Sequence, residues 1–151
     1  MHVQRAMREI EDLPETALVR VSSLYETAPI GMQDQPAFVN AVAEVASTLS
    51  PHEFLARLQA IEVQHGRLRN SEREVKNGPR TLDLDILMFD EMQFSERGLT
   101  LPHPRMHERA FVLVPLLEIA PEAVVPGMGI ASDLLSVVDC TGVAEFRLEE
   151  H

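Results

Sequence analysis

The stretch Gly78-Pro-Arg-Thr-Leu-Asp-Leu-Asp-Ile-Leu-Met-Phe-Asp90 decides how the rest of the chain is interpreted. Its Gly-Pro pair is a turn signal, and the run of Leu, Ile and Phe after it predicts a strand. Side chains two residues apart on a strand share a face. The pattern therefore places Asp83 and Asp85 on one face, while Leu82, Leu84 and Ile86 can enter a core.

The two neighbouring carboxylates permit two interpretations. They repel each other, and a bound cation removes the repulsion; Mg²⁺ takes one or two carboxylates and completes its shell with water and substrate phosphates. Alternatively, Asp83 and Asp85 only keep the wet face of an edge strand soluble. The spacing alone does not decide between a metal site and a solvated face.

A cluster of basic residues precedes the aspartates. Five of the thirteen Lys and Arg residues lie between positions 67 and 80, in a chain of net charge −11. The run is either a solvated loop that balances Glu72 and Glu74 or a site for a small polyanion. Its position beside the aspartates favours the second, with arginines on one side of the phosphates and metal on the other.

Composition limits the function classes. A chain of 151 residues is most simply one domain, here residues 1–151, with room for a core. The net charge of −11 argues against nucleic acid as a partner. Cys140 is the single cysteine, which excludes an internal disulfide and fits a reducing, cytoplasmic setting. No apolar run is long enough to cross a membrane.

The spacing of apolar residues, together with the capping and proline signals, predicts the helices and strands. Helices are expected over residues 3–13, from a capping box at Ser50 to about His65, over 108–119 and over 130–138; strands are expected over 17–25 and 37–49. Pro115 is expected to kink the third helix or to mark its true start.

Several polar side chains allow both a structural and a binding role. Asn40, beside Phe38 at a strand mouth, could serve a flat heterocycle, although Phe38 alone is ordinary core. Gln59 and Glu62 form a stripe that could equally be plain helix surface. His103 lies between two prolines, which suits a presented imidazole or a rigid connector.

Taken together, the motifs resemble the 6-hydroxymethyl-7,8-dihydropterin pyrophosphokinase family. The resemblance rests on Lys76 to Leu87, on Ser23-Leu-Tyr-Glu-Thr-Ala-Pro29, on Asp34 to Asn40, and on Leu101-Pro-His-Pro104 through Pro121. It implies a ferredoxin-like α+β fold and transfer of a pyrophosphoryl group from ATP to the pterin hydroxymethyl group, releasing AMP, in folate synthesis.

The resemblance also implies roles for individual residues. Asp83 and Asp85 would bind two Mg²⁺. The pterin would be held by Thr27, Ile30, Phe38, Asn40 and Phe111. ATP would contact Gln59, Glu62, Arg80, Ile86, Arg97, Thr100, His103 and Arg109. Catalysis would use Arg67, Arg69 and Arg80. The partners would be the two small-molecule substrates, with no nucleic acid and no membrane, and the expected state is a monomer, with a dimer as the alternative.

Three departures from the family pattern stand out. No strand ending in a Gly-Ser-Asn-Leu-like loop precedes the first helix, so we expect either an N-terminally shortened chain or a sheet completed by another chain. The basic loop is longer and lacks a Trp before Gly78, so Arg73 or Lys76 could replace Arg67 or Arg69. Gly98 stands where an ATP-contacting Arg is common, and Arg97 could reach the same phosphate.

Two other functions remain open on the sequence. The first is a non-catalytic or impaired pterin- or nucleotide-binding relative of the same fold, because the opening strand is lacking. The second is a structural domain that obtains its strand from a neighbour. Arg80, Asp83 and Asp85 in one short stretch argue against both, since packing does not require them together.

Overall fold

The computed structural model describes residues 2–27, 38–65, 83–96, 98–140 and 142–146, and shows a mixed α/β chain with antiparallel strand pairs. Within these residues the helices are α1 (His2–Glu11), α2 (Pro51–Gln64), α3 (Ala110–Ile119) and α4 (Ala131–Ser136), with a 3₁₀ turn at Met106–Glu108. The strands are β1 (Thr16–Val21), β2 (Leu24–Thr27), β3 (Phe38–Asn40), β4 (Ala43–Ser47), β5 (Phe94–Glu96), β6 (Leu99–Leu101), β7 (Val124–Val125), β8 (Gly129–Ile130) and β9 (Val143–Phe146).

The chain forms two compact units, each made of two segments. The first unit comprises residues 1–18 and 45–86, and the second comprises residues 19–44 and 87–151. Among the described residues, no helix combines the length and the apolar character needed to cross a bilayer.

Two helices form the core of the first unit, as the sequence predicts. Ala6 and Ile10 of α1 are buried, and so are Phe54, Leu58 and Ile61 of α2. The capping box at the start of α2 is present: the Ser50 hydroxyl accepts from Glu53 N, and Glu53 Oε1 accepts from Ser50 N. These bonds satisfy backbone donors that the first helical turn leaves open, so the predicted helix start is confirmed.

The second unit packs around helix α3. This helix is apolar along its whole length except at Glu118. Leu113 is fully buried in a cluster that includes Met106 and Val125, and the short helix α4 contributes Ala131. The predicted helices at both places are confirmed. Because α3 begins at Ala110, Pro115 lies inside it and does not mark its start.

Both long strands predicted from the sequence are broken. The expected strand over 17–25 divides into β1 and β2, and the one over 37–49 divides into β3 and β4. The breaks face each other: Ser22 N donates to Val42 O at 2.8 Å, and Val42 N donates to the Ser22 hydroxyl at 2.9 Å. The Ser22 hydroxyl accepts from the Val42 amide, which in a continuous strand pair would donate to a backbone carbonyl, and the strand pairing ends there.

The two breaks divide the strands between different sheets. β1 pairs with β4, whereas β2 lies between β3 and β9 in a three-stranded sheet. In that sheet Tyr25 is opposite Asn40 on one side and Glu145 on the other. The strand β9 and the hairpins β5–β6 and β7–β8 escape prediction, because each strand is only two to four residues long.

The strand predicted around the aspartates is wrong for the residues that are described. Residues 83–89 pair with no strand in the described chain. Two of their backbone groups have other partners: Leu84 N donates to Glu62 Oε2 at 2.7 Å, and Leu87 O accepts from His103 N at 2.7 Å. The predicted alternation holds over four residues, since Asp83 and Asp85 are exposed, Leu84 is half-buried and Ile86 is buried.

Candidate active site

In the first unit, two exposed carboxylates lie on either side of a backbone amide, and this amide donates to a buried third carboxylate. Glu62, on the last turn of α2, is only 3% exposed, and its carboxylate accepts from Leu84 N at 2.7 Å. Leu84 lies between Asp83 and Asp85, whose side chains are on the solvent side. A buried charge of this kind requires hydrogen-bond donors, and the amide supplies one of them. The bond therefore fixes the backbone from which both aspartates project.

The aspartates fit a magnesium site by the chemistry of their donors. Carboxylate oxygens are hard ligands, and Mg²⁺ commonly takes only one or two of them from protein. Within the described residues, no group of three or more His, Cys, Asp or Glu side chains is arranged to hold a metal. Both residues are exposed, and two carboxylates are within the number of protein ligands that Mg²⁺ commonly takes.

Glu62 is not the plain surface residue that helical periodicity allows. Its burial and its bond to Leu84 give it a structural contact in addition to the ATP contact that the resemblance implies. Gln59, one turn earlier on the same helix, is half-buried, and Ile86 is 9% exposed. The structure thus brings Glu62 to the segment of the aspartates, whereas Gln59 makes no polar contact with that segment among the residues that the structure describes.

In the second unit, the predicted pterin residues that the structure describes lie on two adjacent strands and on the helix of the same core. Thr27 ends β2 and is opposite Phe38 of β3, and Asn40 ends that strand. The Asn40 amide nitrogen donates to the Thr27 hydroxyl at 3.3 Å. This bond uses one amide hydrogen of Asn40. The structure therefore brings these two predicted residues together.

Phe111 lies in the first turn of α3, half-buried against the core cluster of the second unit. The guanidinium of Arg109 stands over its ring at 5.5 Å from the centroid, within cation–π range. The residue predicted to bind ATP and the aromatic ring predicted to bind pterin are thus neighbours.

His103 has a defined ring orientation. Its Nδ1 accepts from Arg105 N at 3.2 Å, and its own backbone N–H donates to Leu87 O. With Nδ1 as an acceptor, the neutral ring carries its proton on Nε2, which makes Nε2 a donor. The hydroxyl groups of Thr100, on β6, and Ser95 form one hydrogen bond at 2.9 Å, in which either can donate.

Several predicted residues lie outside the described part of the chain, and their predicted roles stay predictions. These are Ile30, Arg67, Arg69, Arg73, Lys76, Arg80 and Arg97. Phe38 is described only through its backbone, in β3.

Sequence reasoning missed one group of contacts altogether. Glu118 accepts hydrogen bonds from Ser23 N, from the Ser23 hydroxyl and from Tyr25. A signal was present, because Glu118 is the one polar side chain in the ten residues of α3. A lone charge on an apolar helix indicates a specific partner, but the sequence does not say which.

Comparison with known proteins agrees with these motifs. Residues 1–121 match the family described as 7,8-dihydro-6-hydroxymethylpterin-pyrophosphokinase (HPPK). The chain is 45% identical over 141 residues to the 2-amino-4-hydroxy-6-hydroxymethyldihydropteridine pyrophosphokinase of Pseudomonas aeruginosa, covering 93% of this chain and 85% of that protein. It is 45% identical over 130 residues to the protein of that name from Haemophilus influenzae, covering 86% and 79%.

A third relative is a larger protein. The chain is 45% identical over 107 residues to the mitochondrial folate synthesis bifunctional protein of Arabidopsis thaliana, covering 71% of this chain and 19% of that protein. The family match includes the helix α2, the aspartate segment and α3, which are the elements that carry the site described above. On this evidence the chain belongs to the 7,8-dihydro-6-hydroxymethylpterin-pyrophosphokinase family.

Proposed function

We propose that this protein transfers a pyrophosphoryl group from ATP to 6-hydroxymethyl-7,8-dihydropterin, in folate synthesis. The observation that carries the proposal is the aspartate segment, where two exposed carboxylates flank an amide held by the buried Glu62. A purely structural domain does not require such a pair, whereas a site for metal and polyphosphate does. The names of the relatives from two bacteria support the same reaction.

The reaction forms one bond and breaks another at the β-phosphorus of ATP. The hydroxymethyl oxygen of the pterin attacks this phosphorus, and the bond to the oxygen that bridges to the α-phosphate breaks. AMP leaves with that bridging oxygen, and the hydroxymethyl proton passes to solvent or to a phosphate oxygen. Such a transfer depends on positioning and on charge stabilisation, with no covalent step on the protein.

The pterin would bind in the second unit. Asn40 and Thr27 supply amide and hydroxyl groups for the hydrogen-bonding edge of the pterin, and the Phe111 ring supplies an aromatic face for stacking. Phe38 and Ile30 would complete the pocket. A neutral, flat ring is recognised in this manner because aromatic faces bury its surface and polar groups fix its orientation.

The negative charge on the phosphates would be balanced by bound metal, by a histidine and by arginines from several parts of the chain. Asp83 and Asp85 would hold two Mg²⁺, which when bound neutralise phosphate charge and orient the β-phosphate. His103 presents an Nε2–H donor, and Arg109 brings a permanent cation. Arg67, Arg69 and Arg80 would complete the cationic surroundings, with Arg97 beside them. Gln59, Glu62, Ile86 and Thr100 would contact the nucleotide.

We also propose the architecture that accompanies this function. The described strands and helices would belong to one ferredoxin-like α+β domain spanning residues 1–151. The chain would act as a monomer.

The test is AMP formation from ATP by the 151-residue chain. We expect AMP only when ATP, Mg²⁺ and 6-hydroxymethyl-7,8-dihydropterin are all present, because each contributes a part of the transfer site. Omitting the pterin is the control for simple ATP hydrolysis. AMP at the same rate with and without pterin would contradict the proposed acceptor.

A thermal unfolding experiment separates the remaining alternatives. ATP with Mg²⁺ should raise the unfolding temperature, because a ligand that binds only the folded state stabilises it by about 2.7 kcal/mol at a hundred times its Kd. Stabilisation without AMP formation would indicate a non-catalytic binding protein. Neither stabilisation nor AMP formation would indicate a structural domain.

A further inference from the structure

Glu118 is an exposed carboxylate at which three donors converge. Ser23 N donates to both of its oxygens, at 3.1 and 2.9 Å, and the Ser23 hydroxyl donates to Oε2 at 3.0 Å. The Tyr25 hydroxyl donates to Oε1 at 2.5 Å. Bonds to a charged acceptor are stronger and more directional than neutral ones. The side chain is therefore held in one orientation although solvent reaches it.

The donors lie at the beginning of the strand that carries a predicted pterin residue. Ser23 immediately precedes β2, Tyr25 is its second residue, and Thr27 is its last. Tyr25 is opposite Asn40 in the neighbouring strand β3. A shift of β2 along its axis or towards solvent would therefore move Thr27 and Asn40 together.

The acceptor lies on the helix that carries the predicted stacking ring. Phe111 and Glu118 are seven residues apart on α3, close to two full turns, so both project from the same side of one rigid element. A second tie comes from Arg20, whose guanidinium donates to Ile119 O at 2.9 Å and satisfies a carbonyl of the last helical turn. The chain is thus bonded to the end of α3 on both sides of the break at Ser22.

We propose that Glu118 is a positioning residue for the pterin site, fixing the β2–β3 pair to α3 so that Thr27, Asn40 and Phe111 keep one geometry. This inference rests on the proposed function and deepens it. Glu118 itself touches neither substrate. It acts through Ser23 and Tyr25, and it concerns the pterin rather than the nucleotide, because all of the elements that it joins carry predicted pterin residues.

The test compares Glu118→Ala, Glu118→Gln and Tyr25→Phe with Glu122→Ala, a matched control at an exposed glutamate just after α3. Glu118→Ala should raise KM for the pterin on the order of tenfold, equivalent to about 1.4 kcal/mol. KM for ATP and kcat should stay within about twofold, because the nucleotide contacts are unchanged. Glu118→Gln should fall between Glu118→Ala and the wild type, since its amide oxygen still accepts. Glu122→Ala should match the wild type.

Hydrogen exchange supplies a readout that does not depend on turnover. Glu118→Ala should speed exchange of the amides of β2 and β3, while those of α2 stay protected as in the wild type. A wild-type chain without pterin-dependent AMP formation would overturn the proposed function, and the exchange result would then still decide whether Glu118 positions the strands. An active Glu118→Ala with unchanged pterin KM and unchanged exchange in β2 and β3 would overturn the inference. Equal increases in KM for both substrates would also overturn it, because they indicate general destabilisation.

Discussion

Two glutamates on different helices each bind a segment that is remote in sequence, and they do so in opposite surroundings. Glu62 is 3% exposed and accepts from Leu84 N, 22 residues away. Glu118 is exposed and accepts from Ser23 and Tyr25, more than 90 residues away. Burial makes the first bond costly to lose, because the buried Glu62 carboxylate has little water to replace the Leu84 amide. Because Glu118 is exposed, its hydrogen bonds contribute little to the free energy of unfolding. Their main effect is to fix the geometry of the groups that they join.

The segments that they hold also differ. β2 is paired on both sides, with β3 and with β9, before Glu118 adds its contacts. Residues 83–89 have no strand partner in the described chain, so Glu62 supplies a bond of the kind that a neighbouring strand would provide. Glu62 therefore provides one of the backbone bonds that hold a segment without a strand partner, whereas Glu118 adds contacts to a strand that is already paired on both sides.

The largest expected effect lies at the aspartates beside Leu84. Asp83→Ala or Asp85→Ala should lower the rate of AMP formation by orders of magnitude, because each removes a proposed metal ligand. The unfolding temperature should be unchanged or slightly higher, since one of two neighbouring like charges is removed. AMP formation and thermal unfolding are measured on the same samples.

Glu91→Ala is the matched control for this experiment, because it removes an exposed carboxylate close to the segment. It should leave both the rate and the unfolding temperature unchanged. Near-normal turnover in both aspartate variants would dismiss the metal assignment. The aspartates would then be only solvated side chains, as the alternative interpretation of the sequence has them.

The next effect tests the role of burial at Glu62. Glu62→Ala removes the acceptor of Leu84 N and should lower the free energy of unfolding by about 1–3 kcal/mol. Glu62→Gln keeps an acceptor oxygen and should cost less. Chemical denaturation measures both, with Gln64→Ala, an exposed position on the same helix, as the control. If Glu118→Ala destabilises the chain as much as Glu62→Ala, burial is not what distinguishes the two glutamates.

The comparison also shows which features of the chain could be predicted from its sequence. The helices α1, α2 and α4 and the cap at Ser50 depend on contacts within a few residues, and periodicity and side-chain type report these directly. The aspartate pair could be identified as a candidate site because its two carboxylates are only two positions apart in the sequence. For the same reason the family motifs could be identified without a structure.

The rest depends on contacts across long separations. Ser22 and Val42 end two strands at once through bonds that span 20 residues, and an alternating pattern gives no sign of such a break. Leu84 is bonded to a side chain of α2 in place of a strand, which a strand-like pattern cannot distinguish. The partners of Glu118 lie in the first part of the chain, so its charge could be noticed but not explained.

The smallest effect is the dependence of the Glu118 contacts on pH. Burial, the hydrogen bond to Glu118 and the charges of Glu118 and Glu145 raise the pKa of Tyr25 from 10.0 to about 12. A group whose pKa is higher in the folded state contributes stability that is complete below its unfolded pKa and is lost as pH rises through the folded one. Tyr25→Phe should therefore cost about 0.5–1 kcal/mol at neutral pH, at the low end because the site is exposed. This difference from the wild type should shrink between pH 10 and 12.

The pKa of Glu118 is shifted in the opposite direction from that of Tyr25, so its contribution to stability is lost in acid. Burial alone would raise its pKa, but the hydrogen bonds from Tyr25 and Ser23 outweigh burial and hold the pKa below its ordinary value. Its contribution is therefore complete above the unfolded pKa and is lost as pH falls through the folded one, so the stabilities of the wild type and Glu118→Gln should converge in acid. Urea unfolding across the pH range measures both limbs. A constant difference between the wild type and Tyr25→Phe up to pH 12 would mean that the Tyr25 hydroxyl is not bonded to Glu118 in solution, and the geometric role of Glu118 would then rest on Ser23 alone.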